Sequence, residues 1–597
     1  MNKEQIIASA NQAQQNEDNQ TGVCSRTWHI GFFFDGVGRN IELDAKQHRL
    51  SNIARLYRAY PDQNKNTPTI CYNAFYLSGL STPFKEEISA KLHAAMDGSL
   101  DKLKDEAMGI PKDAAEDAAK ELFSSSWYEI LDKQWKKLLN PTELGKIASS
   151  ATRKIATTVG IEATPWLRDS KIMSDFFITG VDTRISSAIT RFKQFYKKNN
   201  NEGPLPIKSI SISVFGFDLG ATLARKFIDD LLNDICQKEQ QKDSSAKYTY
   251  ETIPVNIIFA GFFDCSRHTP ASSNNGMDYF AALAGTTGKT ISPFLGEKAI
   301  DQDTPLPSAI HNALHLVAAH ERRPWRGVYA LGKQGKWPEL LLPGSSEDIG
   351  GGLLPDEQKP SAELCRVALH QMYRCAYMAG VPFPDYQTLD KIDTDIANYF
   401  LMNDAIERYS AQNWATRYRK NVGNQPLSVK SQNAHLDSYF DWLGKQYYLY
   451  CTELERLDTE RKSILTTTIV PGIIPEDRKK MDEYTLAMQT LKNNWGWLDD
   501  VKDQALWFIN SVMTNPNEKR TSIAPDIYIP TLRRAEQFME YSHCAYQKKP
   551  MPVSNDKAPA QIFAWLAHDI QKVDPAASIS VDFLTIRSVE IPDDEEE

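Results

Sequence analysis

Hydrophobic positions fall into two patterns along this chain, and the change between them divides it. Short, almost wholly apolar runs dominate the first part: residues 27–34 (TWHIGFFF), 69–77 (TICYNAFYL), 209–215 (SISISVF) and 253–263 (IPVNIIFAGFF). Runs of this length, rich in β-branched and aromatic residues and bounded by Gly, Asp or Ser, predict strands covered on both faces. Residues 339–342 (ELLL) read as another strand, and 306–319 as a strand or helix. Helical spacing separates these runs. Ile53, Leu56 and Tyr57 follow a capping Ser51, Ile185, Ile189 and Phe192 share one face, and residues 361–378 end before Gly380 and Pro382. Strand and helix in alternation predict the α/β class, with a doubly wound and mostly parallel sheet.

Elsewhere the alternation stops. Residues 84–180 are rich in Ala, Lys, Asp and Glu and predict a helical insertion in an α/β unit covering 27–383. Residues 384–550 predict a mainly helical second domain, and 551–597 a C-terminal segment with an alternating strand at 578–591 and an acidic tail. The polar residues 1–26 predict a disordered lead-in. In the helical part, ILTTTIVPGIIP (464–475) is a short apolar loop; a buried turn is the preferred reading over a dip into a membrane interface.

Composition narrows the function. The 597 residues are 41% hydrophobic and 24% charged, enough for a large core, and the net charge of −9 argues against nucleic acid as the main partner. The eight cysteines are scattered without zinc spacing, so reduced thiols and cytoplasmic folding are expected. The N-terminus has no signal-peptide pattern and no stretch reaches the roughly 18 apolar residues of a membrane span. Membrane contact would be peripheral, and export would need a route that reads no signal peptide.

The chemistry centres on residues 209–226, SISISVFGFDLGATLARK. An apolar strand, the turn Gly216-Phe217-Asp218-Leu219-Gly220 and an amphipathic helix reproduce the order of a G-x-S-x-G nucleophile elbow, with Asp218 in the serine's place. Asp35, Asp218, Asp264, Glu347 and Asp348 all follow predicted strands, so a doubly wound sheet would gather them at its ligand-binding edge. Such a set could hold Ca²⁺ or Mg²⁺. No organic cofactor is implied.

Seven stretches in order resemble the lipase effectors of type VI secretion systems. They are HIGFFFDGVGRN, SNIARLYRAY, the helix around Arg184-Ile185, VFGFDLGATLAR, IIFAGFFDCSR, HERRPW and LPGSSEDIGGGL, spanning about residues 27–382. The resemblance implies an α/β-hydrolase core of phospholipase ancestry in a bacterial protein, delivery through a secretion spike or adaptor protein, and exit from the producing cytoplasm without a signal peptide. An immunity partner is left open. The family's nucleophilic serine falls on Asp218, its acid on Asp264, and its histidine, in a P-G-x-H-x-D-x-G-G-G segment, on Ser346. The oxyanion-hole amides fall on the loop Gly36-Val37 and on Leu219.

With neither hydroxyl nor imidazole in register, acyl transfer lacks its nucleophile and its base. The expectation is a degenerate hydrolase, inactive or weak, that acts through binding or delivery. Two alternatives keep an enzyme: Asp218 as nucleophile with a relocated base from His268, His311, His315 or His320, or the metal-binding carboxylate cluster. His320-Glu321-Arg322-Arg323 is expected to be a charged network that ties loops together.

Overall fold

The computed structural model describes residues 3–17, 25–80, 181–240, 246–268, 304–323, 326–332, 335–355, 357–423, 426–467, 475–514, 525–554, 558–569 and 581–592. The insertion expected at 84–180 lies outside them, as do 468–474 of the apolar loop; residues 464–467 continue a helix.

The strands are β1 (Arg26–Phe34), β2 (Ile70–Leu77), β3 (Ile207–Phe217), β4 (Gln237–Gln240), β5 (Ala246–Tyr250), β6 (Ile253–Phe263), β7 (Ser266–His268), β8 (Ala313–Ala318), β9 (Arg326–Tyr329), β10 (Glu339–Leu342) and β11 (Val589–Glu590). The main sheet has the order β10-β8-β6-β3-β1-β2, parallel throughout, with β5 and β4 added antiparallel beside the start of β6. A small sheet, β11-β9-β7, lies apart from it. The strand order reverses between β1 and β3, which makes their C-terminal ends the expected binding edge.

Described helices include α1 (Lys3–Glu17), α2 (Ile41–Lys46), α3 (Asn52–Ala59), α4 (Val181–Glu202), α5 (Leu219–Asp230), α6 (Ser346–Gly350), α7 (Leu364–Met378), α8 (Ala411–Val422), α9 (Val429–Thr467), α10 (Pro475–Trp495), α11 (Trp497–Thr514) and α12 (Pro525–Tyr546). Helix α1 replaces the disordered lead-in expected there; it docks on α7 through Asn11, whose amide donates to the Met378 carbonyl.

Side-chain alternation explains why both sheet faces are covered. Trp28, Ile30, Phe32 and Phe34 of β1 join Ile210, Ile212 and Val214 of β3 in one core with α4 and α5. Phe33, Phe215 and Phe217 point the other way, against α3 and α7. The Phe33 and Phe215 rings stack with centroids 5.2 Å apart. Burying each such ring stabilises the fold by about 1.5–3 kcal/mol. A register shift between Ile212 and Ser213 lets β6 place both Ile258 and Phe259 on the second face.

Helices α8 to α12 pack around a separate aromatic core that includes Trp414, Tyr418, Tyr439, Trp442 and Phe538. At 1.5 Å per residue the 39-residue α9 is about 58 Å long. The C-terminal segment crosses both bodies. Among the described residues of the strand expected at 578–591, Val589–Glu590 is extended, while Val581–Leu584 turns as a 3-10 helix that buries Phe583 and Leu584 among the aromatics.

The elbow between β3 and α5 is held by close backbone packing. A Cβ on Gly220 would lie 2.2 Å from the Asp35 carbonyl oxygen, and one on Gly216 2.4 Å from the Ala221 Cα. Backbone cannot yield as a side chain can. Gly220→Ala is therefore expected to destabilise the protein by about 1–3 kcal/mol or more, read as a lower urea midpoint; an unchanged midpoint would contradict this packing.

Candidate functional site

Parallel strands put their C-terminal ends on one edge, and the residues after β1, β3, β6 and β10 meet there. Asp218 caps α5 at φ 54°, ψ −129° and is 1% exposed; Asp264 follows β6 at φ 44° and is fully buried. Such torsions cost a non-glycine residue about 1–3 kcal/mol. They are held here by surrounding hydrogen bonds, the Asp218 amide donating to the Phe263 carbonyl (3.0 Å) and the Asp264 amide to that of Leu316 (2.7 Å).

Both carboxylates are engaged. The Ser266 hydroxyl donates to Asp218 Oδ1, and Arg326 lies 3.6 Å from Oδ2. Arg587 forms a two-pronged pair with Asp264, one prong at 3.0 Å, and the Ala318 amide donates to the same carboxylate at 2.9 Å. Arg326 also reaches Glu347 at 3.3 Å. Arg323 donates to both oxygens of Glu321 (2.8 and 2.6 Å) and to Glu347 (2.7 Å). Desolvation opposes the charged form of Glu321, yet Arg323 and its neighbours hold this carboxyl well below its usual range. The expected network of the HERR segment thus exists, and it extends into the elbow.

Ser346 opens α6. Its amide donates to Glu321 at 3.2 Å, and its buried hydroxyl has no partner among the described residues. Two residues on, Asp348 accepts the Ser345 amide and hydroxyl and pairs at 2.7 Å with Nδ1 of His568. Asp35 faces another way. It accepts from the Ser51 hydroxyl (2.6 Å), the Tyr76 hydroxyl (2.7 Å) and the Gly36 amide (2.8 Å). Burial lifts its carboxyl to about 6, against those hydrogen bonds.

The sheet edge therefore brings Asp218, Glu347 and Asp264 into one polar region and engages Asp35 and Asp348 separately. Guanidinium groups lie beside the carboxylates, and among the described residues no group of three His, Cys, Asp or Glu side chains is disposed to hold a metal ion. Of the oxyanion candidates, the Gly36 amide is turned onto its own neighbour's carboxylate, Val37 packs on the core, and Leu219 begins α5.

Histidines named as relocated bases have other work. His315 accepts the Cys265 amide through Nε2 (2.9 Å) and meets Glu339 through Nδ1 (2.7 Å). His320 accepts the Gly344 amide through Nδ1 (2.9 Å), and its Nε2 meets the Tyr418 hydroxyl (3.1 Å), which also meets His435 (2.9 Å). The side chain of His268 lies outside the described residues, and the His311 amide donates to the Ile257 carbonyl (3.0 Å). Sequence reasoning missed Arg587, His568 and Arg326 as site residues. The first two lie more than 200 positions from their partners and in no motif; Arg326 directly follows HERRPW, the one local signal available.

No protein-family model matches the chain, and no curated protein matches it. A solved structure, an uncharacterized protein from Pseudomonas aeruginosa, overlaps with a TM-score of 0.53 at 15% identity, over 99% of this chain and 82% of that one. That likeness concerns the fold. The Tle1 effector bound to the VgrG spike of the type 6 secretion system overlaps with a TM-score of 0.31 at 16% identity, over 69% of this chain and 83% of that one. An overlap this low carries no functional argument.

Burial lowers the His435 imidazole to about 4 from 6.5. The unfolded chain therefore binds the extra proton between those values, so this contribution to stability is complete above pH 6.5 and is lost as pH falls toward 4. His435→Gln should flatten the fall in unfolding free energy, read from urea titrations between pH 7 and 4.5, by up to about 3 kcal/mol. Parallel curves for the two proteins would refute it.

Proposed function

We propose that this chain is a binding protein built on an α/β-hydrolase scaffold, of the kind found in type VI secretion lipase effectors, in which the hydrolytic site has been replaced by a charge-paired network. The observation that carries the reading is the pairing of both carboxylates at the triad positions. Asp218 is engaged by the Ser266 hydroxyl and Arg326, and Asp264 by Arg587. A carboxylate nucleophile must present a lone pair to substrate and have a base for the water that follows. An orienting acid must be available to a histidine. Neither condition fits carboxylates committed to hydroxyl and guanidinium partners.

The link to secretion rests on the ordered sequence motifs between residues 27 and 382. On that reading the protein is made in the bacterial cytoplasm, leaves without a signal peptide and is delivered on a secretion spike or adaptor, with any lipid contact peripheral. No described helix is long and apolar enough to cross a membrane.

Hydrolysis of phospholipid vesicles and of a short-chain nitrophenyl ester should be indistinguishable between the wild-type protein and Asp218→Ala. Asp218→Ser should stay silent as well, because position 346 supplies no imidazole and Asp264 remains with Arg587. Wild-type turnover clearly above that of Asp218→Ala would restore the aspartate-nucleophile enzyme and sink this reading.

A further inference from the structure

The C-terminal segment enters the site in the manner of a bound peptide. Leu584 and Phe583 anchor it in the helical body, where Arg534 donates to the Leu584 carbonyl (3.0 Å) and Arg322 to that of Thr585 (2.6 Å). Arg587 then turns inward onto the fully buried Asp264. Immediately beyond, β11 lies parallel to β9, with Val589 opposite Val328 and Glu590 opposite Tyr329. The Val328 amide donates to the Ser588 carbonyl (2.8 Å) and the Ala330 amide to that of Glu590 (2.9 Å).

These are the two ingredients of strand-addition recognition. Main-chain bonds along an open strand edge accept any extended segment, and a pocket for one side chain selects the sequence. The pocket here is a carboxylate that takes a guanidinium through two parallel hydrogen bonds, a geometry to which Arg is suited and Lys is not. β11 is only two residues long and half-buried, so the arginine is its main anchor. The receiving strand is linked to the elbow as well, since Arg326 of β9 pairs with Asp218 and Ser266 of the adjoining β7 donates to it.

We propose that Asp264 and the edge of β9 on which β11 lies form a binding site for an extended, arginine-bearing peptide, and that residues 581–590 of this chain are its resident occupant. The proposal names a ligand class for the site read above as a binding site. It is tested by peptide uptake and not by ester hydrolysis, so either can fail without the other.

The test uses the full-length chain carrying Arg587→Ala and a fluorescent peptide of residues 581–592, VDFLTIRSVEIP. Loss of the resident guanidinium should speed hydrogen exchange at the Val328 and Ala330 amides and leave the amides of β3 unchanged. The variant should then bind the peptide, with affinity at least about tenfold greater than for the same peptide carrying Arg587→Ala. Adding Asp264→Asn to the variant should abolish that preference. Should Arg587→Ala fail to fold, the Arg587→Lys chain, which keeps the charge and loses the fork, is taken through the same measurements. Unchanged exchange at Val328 and Ala330 in a folded variant overturns the proposal. So does equal binding of the two peptides, or no binding of either once exchange shows the segment released.

Discussion

A carboxylate buried at the end of a parallel strand must be neutralised, and this requirement shapes the C-terminal edge of the sheet. Moving one ion out of water costs several kcal/mol even after relaxation, and removing one member of a buried pair costs about 3–5 kcal/mol. Asp264, Glu321 and Glu347 are each 3% exposed or less, and each has a guanidinium within hydrogen-bond range. Those guanidiniums come from the loop after β8, from β9 and from the far C-terminus. Charge pairing is therefore what joins the terminal segment, the small sheet and the large sheet into one structure around the elbow.

Hydrophobic burial does a different job. The alternating cores on either face of the sheet position β1, β3 and β6 and hence the directions in which their terminal residues emerge. They do not choose the chemistry there. Gly216 and Gly220 permit the sharp turn by letting the backbone pack closely on Ala221 and Asp35, whichever residue stands between them. The elbow can thus keep its shape with an aspartate at its tip.

This division explains what could be read from the chain. The strands β1, β2, β3, β6 and β10, and the helices α3 and α7, were legible because their signals are local: apolar runs, a capping Ser51, a terminating Gly380. Asp218, Asp264 and Ser346 could be placed at strand ends for the same reason. Their partners could not. Arg587 lies 323 positions from Asp264 and His568 lies 220 from Asp348, and one arginine among many has no pattern to mark it. Within the strand expected at 578–591, residues 581–584 turn as a 3-10 helix, since the burial of Phe583 and Leu584 against distant helices outweighs their local alternation. A metal ion is one way to balance converging carboxylates, and guanidiniums brought from distant positions are another, as Arg326 and Arg587 are here.

The residues at positions 218 and 346 can be understood together in these terms. An aspartate 1% exposed at the elbow, beside a helix N-terminus, gains some stabilisation from the helix dipole but still benefits from a cation. Arg326 meets that need and also reaches Glu347, so it sits between the elbow and α6. A histidine at 346 would add a second bulky, protonatable group beside a region already balanced by guanidiniums. Serine adds neither bulk nor charge, and the backbone amide of position 346, which any residue but proline supplies, donates to Glu321. With a carboxylate at the elbow, the local electrostatics favour an arginine beside it over an imidazole, so on the proposed scaffold the residues at 218 and 346 belong to one arrangement of charge.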